Sequence, residues 1–422
     1  MYEHLYYGEQ LKEIVDMIEQ KTSTVMRDIE QTVEMNQYRV LHAFRQHRVS
    51  DVHFIPSTGY GYDDVGRDVL DQIYADVFGA ESGLVRPQMV SGTHAISLAL
   101  FAVLRPGDEL LYITGKPYDT LEEIVGIRGN ENGSLKEFGI SYRSVPLRHD
   151  GTVDFERVKA SMHDRTKVIG IQRSRGYSDR PSFSVADIQE MTAFVKKIKQ
   201  DVIVFVDNCY GEFVENIEPC HAGVDLMVGS LIKNPGGGLA KTGGYIVGKK
   251  KLVEQCANRL TSPGLGGKIG ASLFSLTDMY QGFFLAPHVV GQALKGAVFT
   301  SALMDYFNLE TRPNWNEKRS DLVQSVQFKR KEAMVAFCQA IQFSSPVNAH
   351  VIPHPSPMPG YDDEVIMAAG TFVQGASIEL SADGPVRPPF SVYVQGGLTY
   401  SHVKIALIQA IDQLLYKGFL TL

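Results

Sequence analysis

Between about residue 84 and residue 250, short apolar runs recur in the manner of a covered parallel sheet. Leu110–Thr114, Val168–Gln172, Val202–Val206, Leu226–Val228 and Tyr245–Val247 are separated by helical or loop stretches. A strand that is apolar along its whole length is buried on both faces, and strands that alternate with helices need crossover connections. The pattern predicts an α/β fold, a mostly parallel central sheet with helices on both faces.

The flanks complete the plan. Residues 9–48 show helical spacing, with Leu11, Ile14, Val15 and Ile18 on one stripe. A loop rich in Gly and Tyr follows (Gly59-Tyr60-Gly61-Tyr62), then a helix from about Val65 to Phe78. Residues 266–284 are glycine-rich and then aromatic, and a long apolar helix from about Val289 to Tyr306 reads as a connector. Residues 315–422 read as a smaller α+β domain that ends in a helix from about Tyr400 to Tyr416. A chain of 422 residues suits one large α/β unit and a smaller one. The expected boundaries are a helical arm over 1–58, an α/β domain over 59–288, and connector and small domain over 289–422.

Composition narrows the function classes. A 44% hydrophobic and 21% charged sequence builds a sizeable core, and a net charge of -7 gives no general attraction to nucleic acid or anionic membranes. Cys209, Cys220, Cys256 and Cys338 are far apart with no Cys-x-x-Cys pair, which indicates neither zinc nor a disulfide framework. Charges interrupt the N-terminal stretch, and no apolar run approaches the ~20 residues that cross a bilayer. The expectation is a soluble cytoplasmic protein with no metal, nucleic-acid or membrane partner.

Three stretches carry chemistry. Ser91-Gly92-Thr93 opens the helical run that follows Val90. Gly92 lets backbone turn closely about an anion, the N–H groups of the helix start point at it, and two hydroxyls flank it. An ordinary helix cap reads the same way. The second stretch ends the strand 202–206 on Asp207. A carboxylate there needs a cationic partner. A pyridinium nitrogen, a Mg²⁺ ion or a plain turn are open readings. In the third, Lys233 follows an apolar strand and precedes three glycines, with Ser230 three residues earlier. A lysine in a cleft is readily deprotonated and forms imines, although most lysines are solvated. Lys241 is the internal rival. A Walker A loop is rejected, because Ala240 and Pro235 stand where that loop needs glycines.

Together these stretches supply an anion cradle, an acid and a lysine. Those are the three anchors that pyridoxal 5′-phosphate (PLP) needs at its phosphate, ring nitrogen and aldehyde carbon. Tyr118, after the strand 110–114, can stack on the pyridine face.

At this level the sequence resembles PLP enzymes of fold type I, the aspartate-aminotransferase-like fold. More narrowly it is similar to the bacterial methionine γ-lyase-related (aluminium-resistance) proteins of the cystathionine/methionine lyase group. SGTHAI, RPGDELLY, VFVDNCYGEF and GSLIKNPGGGLAKTGGY stand in the expected order, and TGYGYDDVGRD, QGFFLAPHVVGQALKGA, ELSADGPVRPPF and YVQGGLTYSH support the narrower likeness. The resemblance implies Lys233 as the Schiff-base lysine, with Tyr210 beside Asp207 among the cofactor contacts. It implies a homodimer or homotetramer in which Tyr60, Tyr62 and Arg67 reach the neighbouring subunit's phosphate. Two features depart from methionine γ-lyases proper. Thr120 stands where they carry a cysteine, and their Tyr-Ser-Arg motif is absent.

The implied chemistry begins when an amino acid displaces Lys233. The freed amine takes the α-proton while Asp207 keeps the ring cationic. A leaving group at Cβ or Cγ then departs, giving a 2-oxo acid and ammonia. The substrate carboxylate needs a guanidinium fork, for which Arg387, Arg173 and Arg175 are candidates. The expected activity is a carbon–sulfur lyase acting on a sulfur amino acid. An aminotransferase and a PLP-binding protein without turnover are the alternatives.

Overall fold

The computed structural model describes residues 2–129, 132–358 and 361–422. The chain divides into two compact units, Asn36–Leu285 and Met1–Met35 with Ala286–Leu422. The divisions fall inside two long helices, α1 (Gly8–Gln46) and a later one that begins at Leu276.

In the larger unit, α2 (Val65–Phe78) leads to β1 (Ser82–Arg86), α3 (Gly92–Val103), β2 (Glu109–Tyr112), α4 (Glu122–Val125) and β3 (Ser141–Ser144). Next come α5 (Phe155–Ser161), β4 (Thr166–Gln172), α6 (Val185–Ile198), β5 (Ile203–Asp207), β6 (Leu226–Ser230), β7 (Gly244–Gly248) and α7 (Lys250–Leu260). The seven strands form one sheet in the order β1-β7-β6-β5-β4-β2-β3. β7 runs antiparallel to both neighbours, and the others share one direction. The apolar runs read from the sequence are its central strands.

Alternation along these strands feeds two cores. Phe205, Val228 and Ile246 pack with Ala95 and Ala99 of α3 and with Val253 and Ala257 of α7. The neighbouring residue Tyr245 points to the other face, where its ring lies 5.7 Å from Tyr74 and 5.2 Å from Phe78 of α2.

The segment 266–284 differs from expectation. α8 (Leu276–Tyr306) begins 13 residues before the predicted start and carries Pro287 inside it. Gly282 lies within the helix because a Cβ there would collide with the Gly236 carbonyl. The aromatic stretch is the helix's inward face, with the Phe283 ring stacked on Tyr74 at 3.9 Å. Sequence reading missed the first part of the helix because glycine and proline are poor helix formers in isolation.

The smaller unit holds β8 (Glu310–Arg312), β9 (Gln324–Gln327), α9 (Lys331–Phe343), β10 (Val365–Ala368), β11 (Ser381–Pro385), β12 (Ser391–Gln395) and α10 (Tyr400–Tyr416). Its sheet is antiparallel in the order β10-β11-β12-β9-β8. Val326, Val392 and Ala382 pack with Phe337 of α9 and Leu407 and Ile411 of α10. The stripe Leu11, Ile14, Val15 and Ile18 of α1 is buried in the same cluster. Burial of each such side chain contributes roughly 1.5–3 kcal/mol.

No helix among the described residues is long and apolar enough to cross a membrane. The four cysteines are unpaired and buried.

Candidate active site

Ligand sites in open α/β sheets form beyond the carboxyl ends of the strands. Here the ends of β5 and β6 meet the start of α3. Asp207, the last residue of β5, is buried and accepts a hydrogen bond from the Cys209 N–H at 3.1 Å. Burial pushes its carboxyl up; Lys233, the Cys209 hydrogen bonds and Arg180 pull it back without cancelling the rise.

Lys233 lies in the turn that leaves β6. Its N–H reaches the Ser230 carbonyl at 3.4 Å, and its own carbonyl accepts from Gly236 at 3.2 Å. The amine stands 3.9 Å from the centroid of the Tyr210 ring. Burial opposes the ammonium, but Cys209, Tyr210, Asp207 and Glu212 together hold its pKa above the ordinary lysine range. Lys241, the rival lysine, is 78% exposed and paired with Asp278 at 3.0 Å.

At α3 the Ser91 hydroxyl accepts from the His94 N–H at 3.0 Å, the ordinary cap the sequence allowed. A Cβ at position 92 would lie 3.2 Å from both Cys209 Sγ and Ser230 Cβ, so the bare backbone of Gly92 faces both residues. The Ser230 hydroxyl is buried, with no hydrogen-bond partner among the described residues. An orphaned donor beside the free N–H groups of a helix start is suited to an anion. Thr93 Oγ1 lies 3.5 Å from Thr120 Oγ1. These residues, with Asp207 and Lys233 adjoining, fit the phosphate, ring nitrogen and aldehyde of PLP.

Tyr118 lies in the loop after β2. Gly176, with φ of +56°, backs its ring, where a Cβ would lie 2.9 Å from Cδ2. The Tyr177 ring is 6.0 Å away.

The arginines and the Gly/Tyr loop have partners of their own. Arg173 is fully buried, and its guanidinium binds Glu215 at 2.5 Å, Asn208 at 2.8 Å, the Gly211 carbonyl at 3.0 Å and Glu218 at 3.4 Å. It clamps the loop after β5. Arg175 is buried two residues further on. Arg387 belongs to the smaller unit, is exposed, and pairs with Asp363 at 2.9 Å. Tyr60 and Tyr62 are 63% and 59% exposed, with rings stacked at 5.4 Å. Arg67 is buried, donating to the carbonyls of Gly61 at 2.6 Å and Gly270 at 3.1 Å. Any role for it at a neighbour's phosphate requires exchange of those bonds.

Sequence reading missed Cys209, Arg180, Tyr245 and Glu212. Glu212 is fully buried, accepts from the Tyr245 hydroxyl at 2.7 Å, and has its carboxyl pushed up to about 8, chiefly by burial. Nothing local in the sequence marks it, since its partner Tyr245 lies on another strand.

Known proteins match closely. The sequence profile of the methionine γ-lyase family matches residues 11–415. The Bacillus subtilis protein YnbB, itself uncharacterised, is 65% identical over 418 residues, covering 99% of each chain. A solved structure from Listeria monocytogenes, provisionally designated a cystathionine β-lyase involved in aluminium resistance, is 62% identical with a TM-score of 0.94, covering 95% of this chain and 99% of that one. A carbon–sulfur lyase involved in aluminium resistance from Clostridium novyi is 45% identical with a TM-score of 0.93, covering 96% of each. On the profile match, the high identity over nearly whole chains and the structural likeness, this chain belongs to the methionine γ-lyase family and has the aspartate-aminotransferase-like fold of its PLP-dependent lyases.

Proposed function

We propose that this protein is a PLP-dependent carbon–sulfur lyase acting on a sulfur-containing amino acid, consuming water and releasing a 2-oxo acid, ammonia and a thiol. The observation that carries the reading is the convergence of Lys233, Asp207 and the orphaned Ser230 hydroxyl at one end of the sheet. PLP, when bound, supplies an electron sink for the substrate's α-carbon.

The chain's own residues do the rest. Lys233 holds the aldehyde carbon, and Asp207 holds the ring nitrogen in its protonated form. Ser91, Gly92, Thr93 and Ser230 take the phosphate, while Tyr118 and Tyr210 contact the ring. The free amine of Lys233 would be placed to take the substrate's α-proton. Arg387 is our first choice for the substrate carboxylate, with Arg175 next. Arg173, whose donors are occupied inside its loop, comes last. Tyr60, Tyr62 and Arg67 serve a neighbouring copy in a homodimer or homotetramer; the exposed tyrosine stack supports this reading.

The test is direct. Purified protein reconstituted with PLP is offered cystathionine, homocysteine, cysteine and methionine in turn, and 2-oxo acid and thiol are assayed. Both products from at least one substrate are expected. Oxo acid that forms only when a 2-oxo acid acceptor is added would make the protein an aminotransferase. A cofactor complex with no product from any substrate would make it a binding protein.

A further inference from the structure

Beneath the candidate site lies a buried acid that the mechanism above does not use. Glu212 is fully buried. Its backbone carbonyl accepts a hydrogen bond from Asn234 Nδ2 at 2.9 Å, and Asn234 adjoins Lys233. Its carboxyl accepts from the Tyr245 hydroxyl at 2.7 Å. Gly229 on β6 is bare where this pair passes, because a Cβ there would overlap the Glu212 carboxyl and lie 2.7 Å from the Tyr245 oxygen. Glu212 thus joins three pieces: the loop that carries Asp207 and Tyr210, the turn that carries Lys233, and β7.

We infer that Glu212 is a positioning residue for Lys233, tying the lysine turn to the Asp207 loop and setting, by its own protonation, whether the amine faces one buried carboxylate or two. The inference rests on the PLP reading of Lys233.

The surroundings fix the sign. Facing Glu212 are Tyr245 on β7, Tyr74 on α2, Cys209 at the end of β5, Glu218 in its own loop, and Lys233. Lys233 is the cation among them. Glu218 already has partners, with Arg173 at 3.4 Å and Arg39 at 3.7 Å. One carboxyl oxygen of Glu212 has no hydrogen-bond partner among the described residues. Burial therefore outweighs the Tyr245 hydrogen bond and the attraction of Lys233, and the carboxyl rises to about 8. At neutral pH Glu212 is mostly neutral. As pH rises its anion appears beside the amine, strengthens the ammonium, and slows attack on an aldehyde, which needs the free amine.

Glu212→Gln keeps an acceptor for Tyr245 and removes the titration. Reductive fixation of PLP on Lys233 by borohydride, read by mass spectrometry from pH 6 to 9.5, measures the amine. The ratio of the variant's rate to the wild-type rate should be near one at the acid end and rise about tenfold at the alkaline end, as expected when a new charge shifts a neighbour by about one pK unit. A second readout needs no cofactor. A carboxyl whose pKa is raised on folding contributes stability below its unfolded value, 4.5, that is lost as pH rises through about 8. The melting temperature of the cofactor-free Glu212→Gln protein should therefore gain on the wild type across that window.

Tyr245→Phe guards against a variant that does not fold. Without the hydroxyl, the Glu212 carboxyl rises further, so the wild-type pattern should move to higher pH. A fixation ratio that stays flat overturns the inference, whether or not the melting curves diverge. Absence of fixation on Lys233 in all the proteins overturns the PLP reading itself, and the inference falls with it.

Discussion

The Lys233 amine stands 3.9 Å from the centroid of the Tyr210 ring, and Tyr210 holds a left-handed backbone with φ of +72°. A ring that contacts a cation contributes about 0.5–2 kcal/mol, and a non-glycine residue held in that backbone region costs about 1–3 kcal/mol. Two variants separate these effects. Tyr210→Ala loses the ring and keeps the strain, whereas Tyr210→Gly loses the ring and relieves it. The glycine variant should melt above the alanine variant; equal melting temperatures would remove the strain.

Lys233→Ala should abolish reductive fixation of PLP, while Lys241→Ala should leave it unchanged. The structure gives Lys233 acidic neighbours and leaves Lys241 in an exposed pair with Asp278. Peptide mapping of the borohydride-treated protein checks both.

Asp207→Asn removes an anion that raises the Lys233 pKa. The amine should titrate at lower pH in the cofactor-free variant. Asp207 makes no direct ion pair with Lys233 among the described residues, so the stability loss should stay below the roughly 3–5 kcal/mol of a broken buried pair. Denaturant unfolding and the pH dependence of amine labelling at Lys233 measure the two effects. An unchanged labelling profile would show that Asp207 exerts no field there.

Ser230→Ala separates folding from binding. Its hydroxyl is buried without a partner, so its loss should leave the cofactor-free protein as stable or slightly more so. Affinity for PLP should fall about tenfold, the effect of one lost hydrogen bond of roughly 1.5 kcal/mol. Calorimetric titration and thermal melting supply the comparison; unchanged affinity would take Ser230 out of the phosphate cradle.

Arg387 and Arg173 should behave oppositely. Arg387 pairs with Asp363 in an exposed bridge, so Arg387→Ala should cost under about 1 kcal/mol of stability while raising KM for the amino acid. Arg173 is fully buried among Glu215, Glu218 and Asn208, and Arg173→Ala should destabilise by about 3–5 kcal/mol. Parallel unfolding and kinetic measurements decide; an unchanged KM in Arg387→Ala would pass the carboxylate role to another arginine.

What could be read from the sequence depended on how local its cause was. The helix at Val65–Phe78 and the final helix at Tyr400–Tyr416 were predictable because capping and apolar spacing lie within them. Asp207 and Lys233 were legible because each follows an apolar strand. Arg67 was not, since its burial depends on carbonyls as far away as Gly270. Nor was Glu212, whose partner Tyr245 lies on another strand. The start of α8 was hidden because its glycine answers to the Gly236 carbonyl and not to its neighbours in sequence.

That last contact has a mechanical consequence. Where Gly282 meets Gly236, main chain rests on main chain, three residues beyond Lys233. Nothing flexible separates the two, so the helix serves as a fixed stop under the lysine turn. Alanine at position 282 would act as a shim, lifting the turn from below.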